Sequence, residues 1–188
     1  MISLVVGLGN PGLEYEYTRH NIGFMAMDNF SFDSKLNWTR KFKGLYASVN
    51  LHGAKVHFLK PQTFMNLSGE SISQCAGFFK IPAEEILVVH DELDIPFGTL
   101  ILKKGGGLAG HNGLKSTAKC LGTQDFLRLR LGIDRPTRGS VSSYVLSAYS
   151  KDQEEFLGPF LELSAEAIEA SLKDGFAKAS NQYSKKKV

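Results

Sequence analysis

The sequence predicts an α/β fold: a single domain with a twisted mixed β-sheet flanked by helices and a helical C-terminus. Three observations carry this expectation. Short continuous apolar runs alternate with helical periodicity, two strand-like runs are joined by a tight turn, and the end of the chain, from Val141 on, reads as helix. A length of 188 residues with 43% hydrophobic content suits one sizeable core. Residues 1–188 are therefore expected to form one domain, with 184–188 a flexible basic tail.

Ser3 to Leu8 is a β-branched and apolar run ended by Gly9, Pro11 and Gly12, the pattern of a buried strand. Thr18 to about Phe30 follows as a helix with Thr18 at its N-cap. Leu45 to Leu51 and Lys55 to Leu59 flank His52-Gly53 and predict an antiparallel hairpin. Asn66 to Phe79 has helical spacing, capped near its start by Asn66 or Ser68. Ile86 to Val89 is another buried run and Thr99 to Leu102 a further strand. Gly105 to Gly110 then lead into a helix from about Asn112 to Leu121. Phe126 to Ile133, "FLRLRLGI", alternates with the period of a strand that has one polar face. Val141 to Tyr149 and Asp152 to Ala179 read as helices. In the second, Leu161, Ala165, Ile168, Leu172 and Phe176 make one apolar stripe, and Gly158-Pro159 is expected to break or kink it.

Composition excludes several classes. The apolar start, Met1 to Gly9, is too short to span a membrane and has no basic region or cleavage site beside it, so a soluble, cytoplasmic protein is expected. Cys75 and Cys120 have no metal-ligand spacing and read as free, buried thiols. The net charge of +3 is matched by Lys185, Lys186 and Lys187 alone, so bulk charge decides nothing. Local clusters say more: Arg40 to Lys43, Lys103-Lys104, and Arg128, Arg130, Arg135 and Arg138. Each by itself is ordinary surface charge, but together on one face they would make a footprint for a polyanion.

The segment "GLGNPG", Gly7 to Gly12, fits the G-x-G-x-x-G dinucleotide pattern. A phosphate cradle there would face Glu14 and Glu16, which repel it, so the pattern reads better as a turn. Pro presets one φ angle and Gly tolerates the positive φ that follows. The turn leaves Asn10 at the carboxyl end of its strand, and Asp91 follows the Ile86 to Val89 run. If those strands are parallel, both residues sit on the edge where open α/β sheets bind ligands.

Four polar stretches remain, "GNPGLEYEYTRHNIGF", "LKPQTFMNLSG", "VVHDELDIPFG" and "KKGGGLAGHNGLKS". Together they resemble the bacterial peptidyl-tRNA hydrolase family, in the family's order and from Val5 to at least Pro136. The resemblance implies hydrolysis of the ester between a peptide, or an N-blocked aminoacyl group, and the 3′-terminal ribose of tRNA. It makes His20 the catalytic base and Asp91 its orienting partner. It gives Asn10, Asn66 and Asn112 contacts to the substrate, with Tyr15 and Phe64 bordering it. Lys103, Lys104 and Arg130 lie in segments where the family is similarly basic and are expected to bind tRNA. Peptidyl-tRNA is the partner, no cofactor and no metal are expected, and a monomer is implied.

The chemistry fits these residue types. A histidine takes a proton from water near pH 7, and a carboxylate on its other ring nitrogen sets the tautomer and stabilises the imidazolium. Asparagine amides offer donors and an acceptor without charge, suited to an oxyanion, a water or a peptide group. Asn10 is expected to accept from the peptide amide of an N-blocked substrate. Taken singly, His20 reads as a surface or capping residue, Asn112 and Asn66 as helix caps, and Tyr15 and Phe64 as packing. The conjunction favours function.

Three rivals are weaker. A metal-dependent hydrolase would draw on His20, His90, Asp91, Asp94 and His111, without any recognised ligand spacing. A serine hydrolase lacks its nucleophile elbow. A non-catalytic RNA-binding relative of the same fold would have no need for both His20 and Asp91.

Overall fold

The computed structural model describes residues Met1–Val188. Seven strands form one sheet: β1 (Leu4–Gly7), β2 (Thr39–Lys41), β3 (Gly44–Leu51), β4 (Ala54–Pro61), β5 (Ile86–Glu92), β6 (Leu100–Lys104) and β7 (Leu127–Gly132). Their order is β2-β3-β4-β1-β5-β7-β6. The central β4, β1, β5 and β7 run parallel, and antiparallel pairs close each side, β2-β3-β4 on one and β6-β7 on the other. The sheet is mixed, as its hairpin and buried runs predict.

Side chains alternate across β1 and β5 and are buried on both faces, which explains why those strands read as unbroken apolar runs. Leu4, Val6, Ile86 and Val88 face a core closed by α2 (Ser68–Phe79) and α3 (Asn112–Leu121). Val5, Leu87 and Val89 face a larger core closed by α1 (Ile22–Ala26), α5 (Lys151–Asp174) and α6 (Phe176–Tyr183). A short α4 (Val141–Val145) lies between β7 and α5 in the chain. No helix is long and apolar enough to cross a membrane.

Several local expectations need correction. The helix expected from Thr18 begins only at Ile22, after a 3-10 turn over Arg19–Asn21, and the Thr18 hydroxyl donates backwards to the Tyr15 carbonyl instead of capping. A similar turn over Met65–Leu67 precedes α2, whose cap residue is Leu67, with no side-chain cap. At α3 the capping side chain belongs to His111, not Asn112. Pro159 stands inside α5 without ending it, because it lies on the solvent side, where water can satisfy the carbonyl that its missing N–H leaves free. The break falls at Gly175, with φ 92° and ψ 153°, a conformation that only glycine adopts cheaply.

The buried stripe of α5 is rotated by about one residue from the expected one. Phe160, Ser164, Ala167 and Ser171 are buried beside Ala165 and Ile168, while Leu161 and Leu172 lie at its margin. The two serines do not interrupt it, since each hydroxyl donates to a carbonyl one turn back, Phe160 and Ala167. Cys75 is buried but Cys120 is exposed.

The basic tail over residues 184–188 lies along the edge of the sheet. Lys185 N–H donates to the Leu100 carbonyl at 2.8 Å, Leu100 N–H to Lys186 at 3.2 Å, and Val188 N–H to Gly98 at 3.1 Å. An edge strand leaves a row of unpaired backbone groups, and the tail satisfies those of β6. Its lysine side chains remain exposed.

Candidate active site

β1 and β5 are parallel with Gly7 opposite Val89, so Asn10 and Asp91 emerge at the same carboxyl edge. His20 is brought over that edge by the 3-10 turn that leads into α1. This helix lies against the sheet because Gly23 has no side chain: a Cβ there would stand 2.4 Å from the Val89 carbonyl oxygen and 2.6 Å from Leu8 N. Any other residue would lift His20 away from Asp91.

His20 Nδ1 lies 2.9 Å from both Asp91 oxygens. A carboxylate only accepts, so the proton is on Nδ1 and Nε2 is left as an acceptor with no partner in the chain. Burial opposes protonation of His20, yet the charge and hydrogen bond of Asp91 outweigh it and hold its pKa above the ordinary histidine value. Burial pushes Asp91 the other way, but the two histidines beside it hold its carboxyl well below the usual carboxylate range.

The second histidine is His111. Its Nε2–H donates to Asp91 Oδ1 at 2.7 Å, while Nδ1 accepts from Gly113 N at 3.1 Å and Leu114 N at 3.3 Å. With two N–H groups aimed at Nδ1 and Nε2–H given to the carboxylate, His111 spans from Asp91 to the first turn of α3. His90 holds the backbone of the same residue: its Nδ1–H donates to the Asp91 main-chain carbonyl at 2.8 Å, and complete burial pushes its pKa down to about 3.

Asn10 is held at both ends. Its backbone N–H donates to Asn21 Oδ1 and its carbonyl accepts from Asn21 Nδ2, each at 2.9 Å. Its side-chain oxygen accepts from Met65 N at 2.7 Å. The oxygen expected to receive a substrate amide is therefore already engaged, and the group that Asn10 presents is its NH₂ donor.

A cleft of about 520 Å³ brings together Asn10, His20, Phe64, Asn66, Asp91 and Asn112, with His111 and the α4 residues Val141 and Val145 completing its wall. Asn66 and Asn112 are exposed there. Tyr15 is half-buried in the turn before Thr18 and does not line this cleft. Of the basic residues singled out from sequence, Arg135 lines it, while Lys103, Lys104 and Arg130 lie outside. Lys103 and Lys104 are exposed on β6, and Arg130 is ion-paired with buried Glu92 at 3.3 Å. Arg128 is buried and donates to the Gly106, Gly107 and Gln124 carbonyls, so the polar face expected for β7 is covered by the glycine-rich loop.

His20, Asp91 and His111 also place three ligand atoms within 4.8 Å of one another. Each of those atoms is already hydrogen-bonded within the trio, and His90 and Asp94 do not join it: Asp94 pairs with Arg135 at 2.7 Å.

Arg19, Asn21 and His111 were not among the site residues expected from sequence. Arg19 donates to Ser147 Oγ at 2.5 Å, to the Ala148 carbonyl at 2.8 Å and to Gln153 Oε1 at 3.1 Å, and its guanidinium lies 4.1 Å from the Tyr144 ring centre. It ties the turn bearing His20 to the segment after α4. All three neighbour a residue already singled out, in "TRHN" and "GHNG", but nothing in their types distinguishes a supporting partner from a cap.

The fold and the site together define an open-sheet α/β protein with a histidine–aspartate pair at the carboxyl ends of its parallel strands. The family model described as peptidyl-tRNA hydrolase matches residues 4–188. A peptidyl-tRNA hydrolase of Citrifermentans bemidjiense is 47% identical over 177 residues, 94% of each chain. One from Desulfitobacterium hafniense is 46% identical over 185 residues, 98% of this chain and 100% of that one. The crystal structure of peptidyl-tRNA hydrolase from Acinetobacter baumannii superposes with a TM-score of 0.89 at 37% identity, covering 99% of this chain and 96% of that one. The chain belongs to the peptidyl-tRNA hydrolase family.

Proposed function

We propose that this protein hydrolyses the ester between a peptide, or an N-blocked aminoacyl group, and the 3′-terminal ribose of tRNA, with His20 as the general base. The observation that carries this reading is the His20–Asp91 pair: Nδ1–H is committed to the carboxylate, and Nε2 is left basic at the edge of a cleft. Water bound at Nε2 loses its proton to His20 as it attacks the ester carbonyl. Asp91 stabilises the imidazolium, which then returns the proton to the leaving ribose oxygen.

The developing oxyanion needs a donor. Three backbone N–H groups beside the cleft are engaged, Met65 by Asn10, and Gly113 and Leu114 by His111. The exposed side-chain amides of Asn66 and Asn112 line the cleft and suit that role. The Asn10 NH₂ favours a carbonyl oxygen next to it and repels an ammonium, so a free α-amino group is disfavoured where a peptide carbonyl is welcome. No step calls for a metal, and exhaustive chelation is expected to leave turnover unchanged.

The direct test incubates the protein with N-acetylated and free aminoacyl-tRNA and follows acyl release. Cleavage is expected for the first, and His20→Ala is expected to abolish it while tRNA binding stays within about twofold. Turnover at the wild-type rate in that variant would remove His20 as the base. Asn10→Ala should narrow the preference for the N-blocked substrate. An unchanged ratio of the two rates would contradict the role given to its NH₂.

A further inference from the structure

At the opposite end of the sheet from β6, the β2–β3 connection carries a second concentration of positive charge that the active-site chemistry does not use. A cleft of about 490 Å³ is lined by Arg40, Lys41, Lys43, Gly44, Gln62 and Thr63, with no apolar side chain among them. Lys43 is paired with Glu70 at 3.0 Å, and both are exposed. Arg40 and Lys41 are exposed and form no ion pair.

The backbone marks the same place. Lys41 pairs with Gly44, so Phe42 and Lys43 form a two-residue turn, and both have positive φ, 56° and 53°. Such turns favour Asn-Gly, and the neighbouring hairpin follows that preference by placing Gly53 after His52. Two side chains bearing a ring and a charge occupy strained positions here, and strain of that kind gathers where side chains serve a ligand. The rim is aromatic. Phe78 is 64% exposed, and the Lys41 ammonium lies 4.6 Å from its ring centre and 4.9 Å from that of Phe42.

Cations along a groove with an open aromatic face are the means by which proteins hold nucleic-acid strands: the charges meet phosphates and a base stacks on the ring. The inner wall of the cleft, Gln62–Thr63, continues directly into Phe64, which lines the active-site cleft. We propose that the β2–β3 cleft binds the phosphate backbone of the substrate RNA beyond its terminal nucleotide, with Phe78 as a stacking surface. That the RNA is the substrate rests on the function proposed above; that the cleft binds RNA does not.

The test uses the full chain and an Arg40→Ser/Lys41→Ser/Lys43→Ser variant. Deacylated tRNA binding is measured as a function of salt, alongside turnover of N-acetylated aminoacyl-tRNA and of the same acyl group on adenosine alone. The variant should bind tRNA about tenfold more weakly at low salt, and the slope of log affinity against log salt should fall by about 2, near 0.7–0.9 per lost phosphate contact. Its kcat/KM should drop similarly on tRNA and stay unchanged on the adenosine ester.

Unchanged affinity and slope would overturn the proposal, as would an equal loss on the adenosine ester, which would place these residues at the reacting end. If the triple variant does not fold, Lys41→Gln keeps the aliphatic stem over the rings and should lower the slope by about 0.7; no change would likewise overturn it. Binding is read without hydrolysis, so an absent esterase activity and an absent RNA contact are separate results.

Discussion

At the scale of single residues, Asp91 decides what His20 can do. Its carboxylate raises the pKa of His20 against the effect of burial, so under the proposed mechanism activity should fall as pH drops through that raised value and His20 becomes protonated. The stability linkage has the opposite sense. The raised pKa contributes stabilisation that is fully present below about pH 6.5 and lost as pH rises through the folded-state value. Asp91→Asn leaves burial as the main influence, so the acid limb of the pH–rate profile should move to lower pH while kcat falls about 10²–10⁴-fold. A limb that stays in place would deny Asp91 this electrostatic role. His111 can be separated from its capping duty, because Asn is itself a good N-cap but is too short to span from the helix to Asp91. His111→Asn should therefore cost no more than about 1–2 kcal/mol in urea unfolding. It should also lower kcat severalfold and move the acid limb upward, since an Asp91 short of one donor holds the His20 proton more tightly. Loss of stability with an unmoved pH profile would reduce His111 to a cap.

At the scale of elements, the helices are set by close approaches more than by their periodicity. α2 and α3 begin next to the two asparagines of the cleft, Asn66 and Asn112, and they meet where Gly69 faces Ser116. A Cβ on Gly69 would lie 2.1 Å from the Ser116 carbonyl oxygen. Gly69→Ala should push the helices apart, destabilise the fold by about 1–3 kcal/mol and reduce turnover by moving both asparagines. Equilibrium unfolding and steady-state kinetics check it, and wild-type values in both would show that the helices can yield. The hairpin at His52-Gly53 and the helix over Asn112 to Leu121 were legible in the sequence because turn residues and periodicity agreed. The starts of α1 and α2 were not, because each is preceded by a 3-10 turn whose residues also suit a helix. The end of α5 was missed because Pro159 draws attention to a solvent-side position the helix tolerates, while Gly175 carries the conformation that stops it.

At the scale of the whole molecule, the three basic clusters do not converge. Arg40 to Lys43 stand on the β2 edge and Lys103-Lys104 on the β6 edge, six strand spacings or roughly 29 Å apart. Two of the arginines between them are spent on structure, Arg128 on the glycine-rich loop and Arg130 on Glu92, while Arg135, in an exposed pair with Asp94, lines the active-site cleft. Charge reversal at Lys103 and Lys104 is thus the natural comparison for the β2–β3 variant. An RNA lying across both edges would lose salt dependence in each variant, and one lying along a single edge in only one.

The sequence by itself determined the class of fold and the family, and it singled out the histidine, aspartate and asparagines that line the cleft, because apolar periodicity and a conjunction of short motifs are local properties of the chain. Only the tertiary structure decided how those residues are joined. That Asp91 serves two histidines, that Asn10 offers a donor, and that the lysine tail closes a sheet edge all depend on contacts between segments far apart in the chain. Hydrogen-bond direction and strand order are set by packing in three dimensions, and residue type alone cannot specify them.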